Sequence, residues 1–385
     1  MKVKRSNYYL PFKKESEFDG AIGKMIKGGF VHQTSSGIYA WLNLGLRSLE
    51  KTIKIVEKVH EKNGVIKVLS PMLQEGTLWE KTGRDQTFGN EMLKIYDRNN
   101  HKFIFGPTAE ELFCSLLQSF QYNKQTFPLK LYNIQWKFRD EIRPRFGIIR
   151  GREFLMKDAY SFHKDKNCLL ETYEQMFYIY REIFTEIGFE PVTLHADVGL
   201  MGGFMSHEFL VPSEFGETEL QFKKPVSKSI QWEEKDHAYE ASSDVKYAEI
   251  GHIYALGDKY TSAFKLNYPG TKEAMMMGCY GIGVSRIVGL MFEKENLGPI
   301  APFDVTLISI SNDEKCKEIA NKFYDKYDDI IWDDREDVSI GSKYSEADLI
   351  GSPLQIIIAP KELENEEVII KKDGKKKTIK ISEIF

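Results

Sequence analysis

Apolar residues recur at helical spacing in three stretches of the chain. Leu42, Leu46, Leu49, Ile53 and Val56 follow one another at intervals of three and four, which predicts an amphipathic helix with Asn63-Gly64 as its stop. Thr108-Ala-Glu-Glu111 has the form of a capping box ahead of Leu112, Leu116 and Phe120 on one helical face. Leu170, Tyr173, Phe177, Tyr180, Phe184 and Ile187 mark a third helix, closed by Gly188. Between these helices, Val65 to Leu69 (ended by Pro71), Leu129 to Phe138, Phe154 to Phe162 and Ala274 to Tyr280 read as strands. Strands and helices do not alternate strictly here. The expectation is an α+β arrangement, a mostly antiparallel sheet with helices packed on it, rather than a doubly wound parallel sheet.

The pattern changes near Pro299-Ile-Ala-Pro302. From there it reads strand (Val305 to Ile310), helix (Asp313 to Tyr327), strand (Ile330 to Asp333), short helix (Glu346 to Ile350) and strand (Leu354 to Ala359). A hairpin over Val368 to Ile381, turned at Asp373-Gly374, closes the chain. This alternation predicts a small α/β domain, so the chain divides into residues 1–300 and 301–385.

Composition adds exclusions rather than a function. With 385 residues, 42% hydrophobic and 29% charged, the chain has the make-up of a globular protein with room for two domains. A formal net charge of −4 argues against a wholly basic nucleic-acid coat and leaves room for a local basic stripe. Cys114, Cys168, Cys279 and Cys316 are far apart and include no Cys-x-x-Cys pair, so neither a zinc knuckle nor a redox dithiol is indicated. Lys2, Lys4 and Arg5 precede no apolar core, and no run approaches the roughly 18 apolar residues of a membrane span. A cytoplasmic chain without membrane contact is expected, with an organelle matrix as the alternative.

Two segments carry chemistry. Lys137-Phe-Arg-Asp-Glu141, followed by Arg143, Arg145, Arg150, Arg152 and Phe154, forms an arginine-rich loop between two strands. The guanidinium fork matches phosphate oxygens, and aromatic residues among the charges suit a nucleotide base better than a solvated loop with surface ion pairs, which is the plainer alternative. Gly278-Cys-Tyr-Gly-Ile-Gly-Val-Ser-Arg286 follows a strand and opens a helix. It lacks the third glycine of a dinucleotide fingerprint and the Gly-Lys-Ser/Thr of a Walker loop. Gly281 and Gly283 would let the backbone pass close to a ligand, or the turn simply packs tightly on the sheet.

Taken together, Phe-Arg-x-Glu with its basic loop and Gly-x-Gly-x-x-Arg before a helix resemble the second and third signature motifs of class II aminoacyl-tRNA synthetases. The strand ending at Pro71 resembles the first, which in that class builds the dimer interface. Longer matches are similar to the bacterial-type prolyl-tRNA synthetase family: Gly106-Pro-Thr-Ala-Glu110, Lys137 to Gly147, Arg152 to His163, Ser206-His-Glu-Phe209, Glu249-Ile-Gly-His252 and Gly278 to Gly283. The resemblance spans the chain from about residue 5 to its end.

The resemblance implies a class II antiparallel-sheet catalytic domain over 1–300 and an anticodon-binding domain over 301–385. It implies that bent ATP meets Arg139 at the α-phosphate, which also takes the proline carboxylate, and Glu141 at the adenine amino group. Phe154 would stack on adenine, Arg150 and Arg286 would hold the γ-phosphate side, and Gly281 and Gly283 would give the ligand room. Thr108 and Glu110 would receive the imino group, and Phe162, His163 and Cys279 would line the pyrrolidine pocket. For Thr108 and Glu110 a plain helix-start role, and for His163 a plain structural role, stand as alternatives. His207 and Glu208 lack the second histidine of a zinc helix, so a pocket-shaping role is expected and no zinc. Magnesium is implied without an assignable ligand. Asp334, Arg335 and Lys343 resemble the anticodon-reading edge, with a salt-bridged helix cap as the alternative for Arg335. Lys371, Lys372 and Lys375 to Lys377 suit RNA phosphates or a solvated turn.

Larger bacterial members carry an editing domain between the second and third motifs. Here only about 221–246 fill that place, too short for a domain of at least about 50 residues. The expectation is a compact homodimer that pairs with tRNA(Pro), proline and a separate alanyl-tRNA deacylase. A missing methylene is worth only about 1–3 kcal/mol, so alanine is poorly rejected. Two rivals stand beside this. A threonyl enzyme would need a zinc-binding Cys/His set that the chain lacks, and a non-catalytic paralogue would be expected to have lost Arg139, Glu141 or Arg286.

Overall fold

The structure is a computed structural model that describes residues 1–219, 245–294, 297–311 and 313–385. The expectation for 221–246 therefore falls almost wholly outside the described residues. The chain forms two compact units: 1–34, 39–52 and 288–385 in one, and 35–38 with 53–287 in the other.

The larger unit is built on an eight-stranded sheet. Its main path runs Val192–His195, Met205–Pro212, Lys246–Gly257, Met276–Gly283, Glu153–His163, Leu129–Phe138 and Ile66–Lys67. All neighbours on this path are antiparallel except the last pair, so the antiparallel expectation holds. Leu129–Phe138 and Glu153–His163 are the arms of the arginine loop, and Leu129 faces Phe162 while Phe138 faces Glu153. Alternation sends their side chains to opposite faces. One face is covered by helix Lys166–Ile187, N-capped by Asp165 and ended by Gly188 in the left-handed region. Its Phe177, Tyr180 and Phe184 lie with ring centroids 5.3–5.5 Å from Phe209 on the sheet. The other face carries helix Glu110–Gln118 over part of its area, with Phe113 against Tyr160 (ring centroids 4.4 Å), and the site lies on that same face.

Three local readings differ. The strand expected at Val65 to Leu69 is only Ile66–Lys67, and Leu69 is 79% exposed. In helix Asn43–Lys62 the buried stripe is Leu44, Ser48, Leu49, Thr52, Val56 and Val59, while Leu46 is exposed. Gly45 sits so close to the Phe30 carbonyl that a Cβ would lie 2.1 Å from it, which pins this side of the helix inward and turns Leu46 out. Helix Glu110–Gln118 has Ala109 as its N-cap with no side-chain cap, so there is no capping box at Thr108. Leu112 is buried as expected, but its companions on the buried face are Phe113, Cys114 and Leu117 rather than Leu116 and Phe120.

The smaller unit holds a six-stranded sheet in the order Lys2–Lys4, Ile330–Asp333, Val305–Ser309, Leu354–Ile358, Glu367–Lys372, Lys375–Lys380. The first four are parallel and the final hairpin is antiparallel. Asp373 and Gly374 both take positive φ, the turn that Asp-Gly favours between tight strands. The N-terminal strand is an addition that sequence pattern does not signal, since three residues are too few to show alternation. The short helix is longer than expected, Ile340–Ile350, N-capped by the Ser339 hydroxyl.

Candidate active site

A cavity of about 550 Å³ opens on the face of the large sheet opposite helix Lys166–Ile187. That volume is in the range of small-molecule sites. Arg139, Glu141, Arg150, Phe154, Gly281, Gly283, Arg286, Thr108 and Cys279 all line it, so nine of the expected residues, far apart in sequence, are brought together. Strand alternation explains part of this: Phe154, Met156 and Asp158 point from one strand to the same side.

The lining contains two hydrogen-bonded clusters. In the first, Arg150 pairs with Glu141 (Nη2 to Oε2, 2.9 Å) and with Glu217. The Arg139 guanidinium lies 5.4 Å from the centre of the Phe154 ring and donates to the Pro107 carbonyl at 3.3 Å. Among the described residues its Nε has no hydrogen-bond partner, a buried donor open to a ligand acceptor. Arg286 donates to the carbonyls of Ile149 (2.9 Å) and Glu249 (2.8 Å), which fixes it across the cavity wall. Burial lowers its pKa, with Glu249 opposing. Burial works against charge on Glu249 as well, but His252, Arg286 and Arg139 outweigh it and hold its carboxyl below the usual range. Burial and the neighbouring Glu249 push the Glu208 carboxyl up.

The second cluster surrounds the start of helix Glu110–Gln118. The Thr108 hydroxyl donates to the Glu110 carboxylate at 2.8–2.9 Å instead of capping the helix. The Cys279 thiol donates to Glu110 Oε1 at 3.1 Å. Beneath, the Tyr160 hydroxyl accepts from the Ala109 N–H (2.9 Å) and donates to Asp158 Oδ2 (2.7 Å). Asp158 in turn pairs with buried Lys137 at 3.1 Å. A run of buried polar groups thus anchors the Thr108–Glu110 turn to the sheet.

Three expected pocket residues are not on the cavity wall. Glu110 is fully buried behind Thr108 and Cys279, both of which bond its carboxylate. Phe162 is fully buried in the apolar cluster with Phe113 and Tyr160, beyond the cavity floor. His163 falls on the opposite face of its strand, where Nε2 meets Ser161 Oγ at 2.7 Å and Nδ1 meets Cys168 Sγ at 3.3 Å on the covering helix. Period-two alternation puts it there, so the structural alternative describes its placement. His207 likewise contacts the Tyr173 hydroxyl at 2.7 Å, while Glu208 faces the cavity.

In the smaller unit, Arg335 forks onto Asp333 (2.6 and 2.9 Å) and reaches Glu346 (2.8 Å), the salt-bridged form. Hydrogen bonds to Asp333 and Glu346 hold its pKa up against burial. Asp334 accepts from the N–H and hydroxyl of Ser6. Lys343 is only 3% exposed and donates to the Ser309 carbonyl at 2.7 Å, so its amine does not present a surface edge.

Arg84, Asp158, Tyr160 and the stretch Asp197 to Met201 were not among the expected site residues, yet they line or support the cavity; Glu208, for which a pocket-shaping role is expected, lines it too. Arg84 stands alone after Gly83 and has no motif around it.

A family model of the class II tRNA synthetase core domain (G, H, P, S and T) matches residues 92–295, and one of the anticodon binding domain matches 304–385. Fold, arginine loop and glycine turn define a class II aminoacyl-tRNA synthetase. The proline–tRNA ligase of Ehrlichia ruminantium is 39% identical over 416 residues, covering 99% of this chain and 97% of the relative. That of Zymomonas mobilis subsp. mobilis is 36% identical over 434 residues, covering 100% and 98%. The chain belongs to the proline–tRNA ligase family. The fold is also that of Giardia lamblia prolyl-tRNA synthetase, solved in complex with prolyl-adenylate, with a TM-score of 0.77 and 19% identity over 94% of this chain and 74% of that one.

Proposed function

We propose that the chain activates proline with ATP and transfers it to the 3′ end of tRNA(Pro). The observation that carries this is the meeting, in one cavity, of Arg139, Arg286 and Phe154 with the Thr108–Glu110–Cys279 cluster. Arg139, with a free Nε, takes the α-phosphate and the proline carboxylate; Phe154 stacks on adenine, and Glu141 accepts from its amino group. Arg150 and Arg286 hold the γ-phosphate side, and Gly281 and Gly283 leave the ligand its room. The secondary ammonium, with two N–H donors, goes to the Glu110 carboxylate behind Thr108. The carboxylate then attacks the α-phosphorus in line and pyrophosphate leaves, a step that needs alignment and charge neutralisation more than covalent help.

The facing carboxylates of Glu208 and Glu249 suit a divalent cation, and magnesium held there would neutralise phosphate oxygens. The tRNA is met by the anticodon-binding domain, 301–385. There Arg335 is the candidate base reader once it exchanges a carboxylate for a guanine edge, with Asp334 beside it, while Lys343 stays on the Ser309 carbonyl and acts on the strand behind that edge. A homodimer is supported by the exposed Ile66, Leu69 and Leu73 on the segment resembling the first motif. The near-complete alignment with relatives of similar span supports the compact form without its own editing domain. A separate deacylase partner and a cytoplasmic location complete the reading.

Proline-dependent ATP–pyrophosphate exchange tests it. Exchange with proline and not with threonine or histidine is expected, and exchange with none of the three would overturn the assignment.

A further inference from the structure

We infer that Arg84 is a positioning residue for amino-acid binding: one guanidinium fixes both the Glu110 carboxylate and the loop at Met201, on two sides of the substrate ammonium. This rests on the proposed proline-activating reading of the cavity. Arg84 is 1% exposed and is enclosed by the rings of Trp79, Phe88 and Tyr260, with centroids 4.9–5.4 Å away. Its Nη1 donates to Glu110 Oε2 at 2.9 Å and to Glu111 Oε2 at 3.1 Å. Its Nη2 lies 3.2 Å from Met201 Sδ. The Met201 carbonyl is held in turn by the Tyr260 hydroxyl at 2.8 Å and Lys259 Nζ at 3.1 Å. Thr108, Cys279 and Met201 all line the cavity.

Glu110 and Glu111 are both fully buried and share one guanidinium, with the Lys259 ammonium as the next cation acting on them. Burial pushes the Glu111 carboxyl up, and Glu110 adds to this while Arg84 opposes it. For Glu110, burial is outweighed by Arg84 and by the Cys279 hydrogen bond, so it stays ionised. An entering ammonium then meets a carboxylate whose Oε2 is tied down by Arg84. Oε1, bonded only to the weak thiol donor and the Thr108 hydroxyl, is free to turn to it. Holding Glu110 and Met201 at once needs a planar fork. Lysine carries the same charge on a single nitrogen and cannot span both.

The test is proline-dependent ATP–pyrophosphate exchange by the full chain, comparing wild type with Arg84→Lys, Arg84→Gln and Arg84→Gln/Glu111→Gln. Arg84→Lys is expected to raise KM for proline about tenfold or more, with KM for ATP and kcat changed less than about threefold. If Arg84→Gln fails to fold because two buried carboxyl groups lose their shared partner, the double variant leaves only one of them, Glu110. It is expected to fold by circular dichroism and to keep the raised KM for proline. A folded Arg84→Lys or double variant with KM for proline within about twofold of wild type overturns the inference. So does a parallel rise of both KM values, which is what loosened packing alone would produce. Wild-type protein that shows no exchange with proline would sink the parent reading instead, and the two failures are told apart by that control.

Discussion

His163 offers a sharp test of where the sheet's two faces divide. Its imidazole is fully buried between the strand and the covering helix, and burial pushes its pKa down from 6.5 to about 3. Asp165 opposes this and Lys130 adds to it. The folded state therefore holds the ring neutral where the unfolded chain would protonate it. Below about pH 6.5 the unfolded state binds the extra proton, so stability contributed by the neutral ring is fully present above that pH and is lost as pH falls toward the folded pKa. Each unit is worth about 1.4 kcal/mol, so lowering the pH to about 5.0 should remove roughly 2 kcal/mol through this residue. His163→Gln keeps a polar partner for Ser161 and has no such proton to gain. We predict that urea unfolding, followed by circular dichroism at about pH 7.5 and about pH 5.0, shows a fall in wild type that exceeds the variant's by roughly 2 kcal/mol. His60, also buried with a lowered pKa, stays in both proteins and cancels. KM for proline at about pH 7.5 should stay within about twofold, since the ring does not reach the cavity. Equal pH dependence in the two proteins refutes the linkage. A KM for proline raised about tenfold would return His163 to the pocket wall.

Three further outcomes follow from the same geometry. Arg139→Ala should lower pyrophosphate exchange by about a hundredfold or more while filter-binding affinity for tRNA changes little; equal loss of both would mean that the arginine loop mainly serves RNA. Tyr160→Phe leaves the Ala109 N–H without its acceptor and Asp158 short of a donor, so it should cost about 1–3 kcal/mol in urea unfolding and raise KM for proline. Gly278→Ala would place a methyl 2.2 Å from the Tyr280 hydroxyl and 2.8 Å from Ser161 Oγ, and overpacking of about 1–3 kcal/mol should appear as a lowered Tm.

What the sequence discloses depends on how local the cause is. Leu129–Phe138 and Ile330–Asp333 match the stretches read from pattern, because β-rich runs bounded by turns need no distant partner to be recognised. The Asp373-Gly374 turn is legible for the same reason: its positive φ values are written into two adjacent residues. Helix faces are less so. Leu46 looks as buried as Leu49 until the close approach at Gly45 decides which way the helix faces, and that approach involves Phe30, fifteen positions earlier.

The site follows the same rule with larger separations. Resemblance names Glu110, Cys279 and Arg139 because they sit in recognisable strings, yet nothing in those strings says what holds them. The Cys279–Glu110 bond joins residues 169 apart, and Tyr160 meets Ala109 across 51. Thr108 shows the cost of a purely local reading. Its capping-box pattern is real in sequence, but inside the fold a buried ionised carboxylate two residues on competes for the same hydroxyl. A hydrogen bond to a charged acceptor, about 1.5–3 kcal/mol, outbids a neutral cap at about 1 kcal/mol. Arg84 is the largest of the influences that hold that carboxylate ionised against burial, with the Cys279 thiol adding to it, so a residue without a motif governs how the residues with one behave.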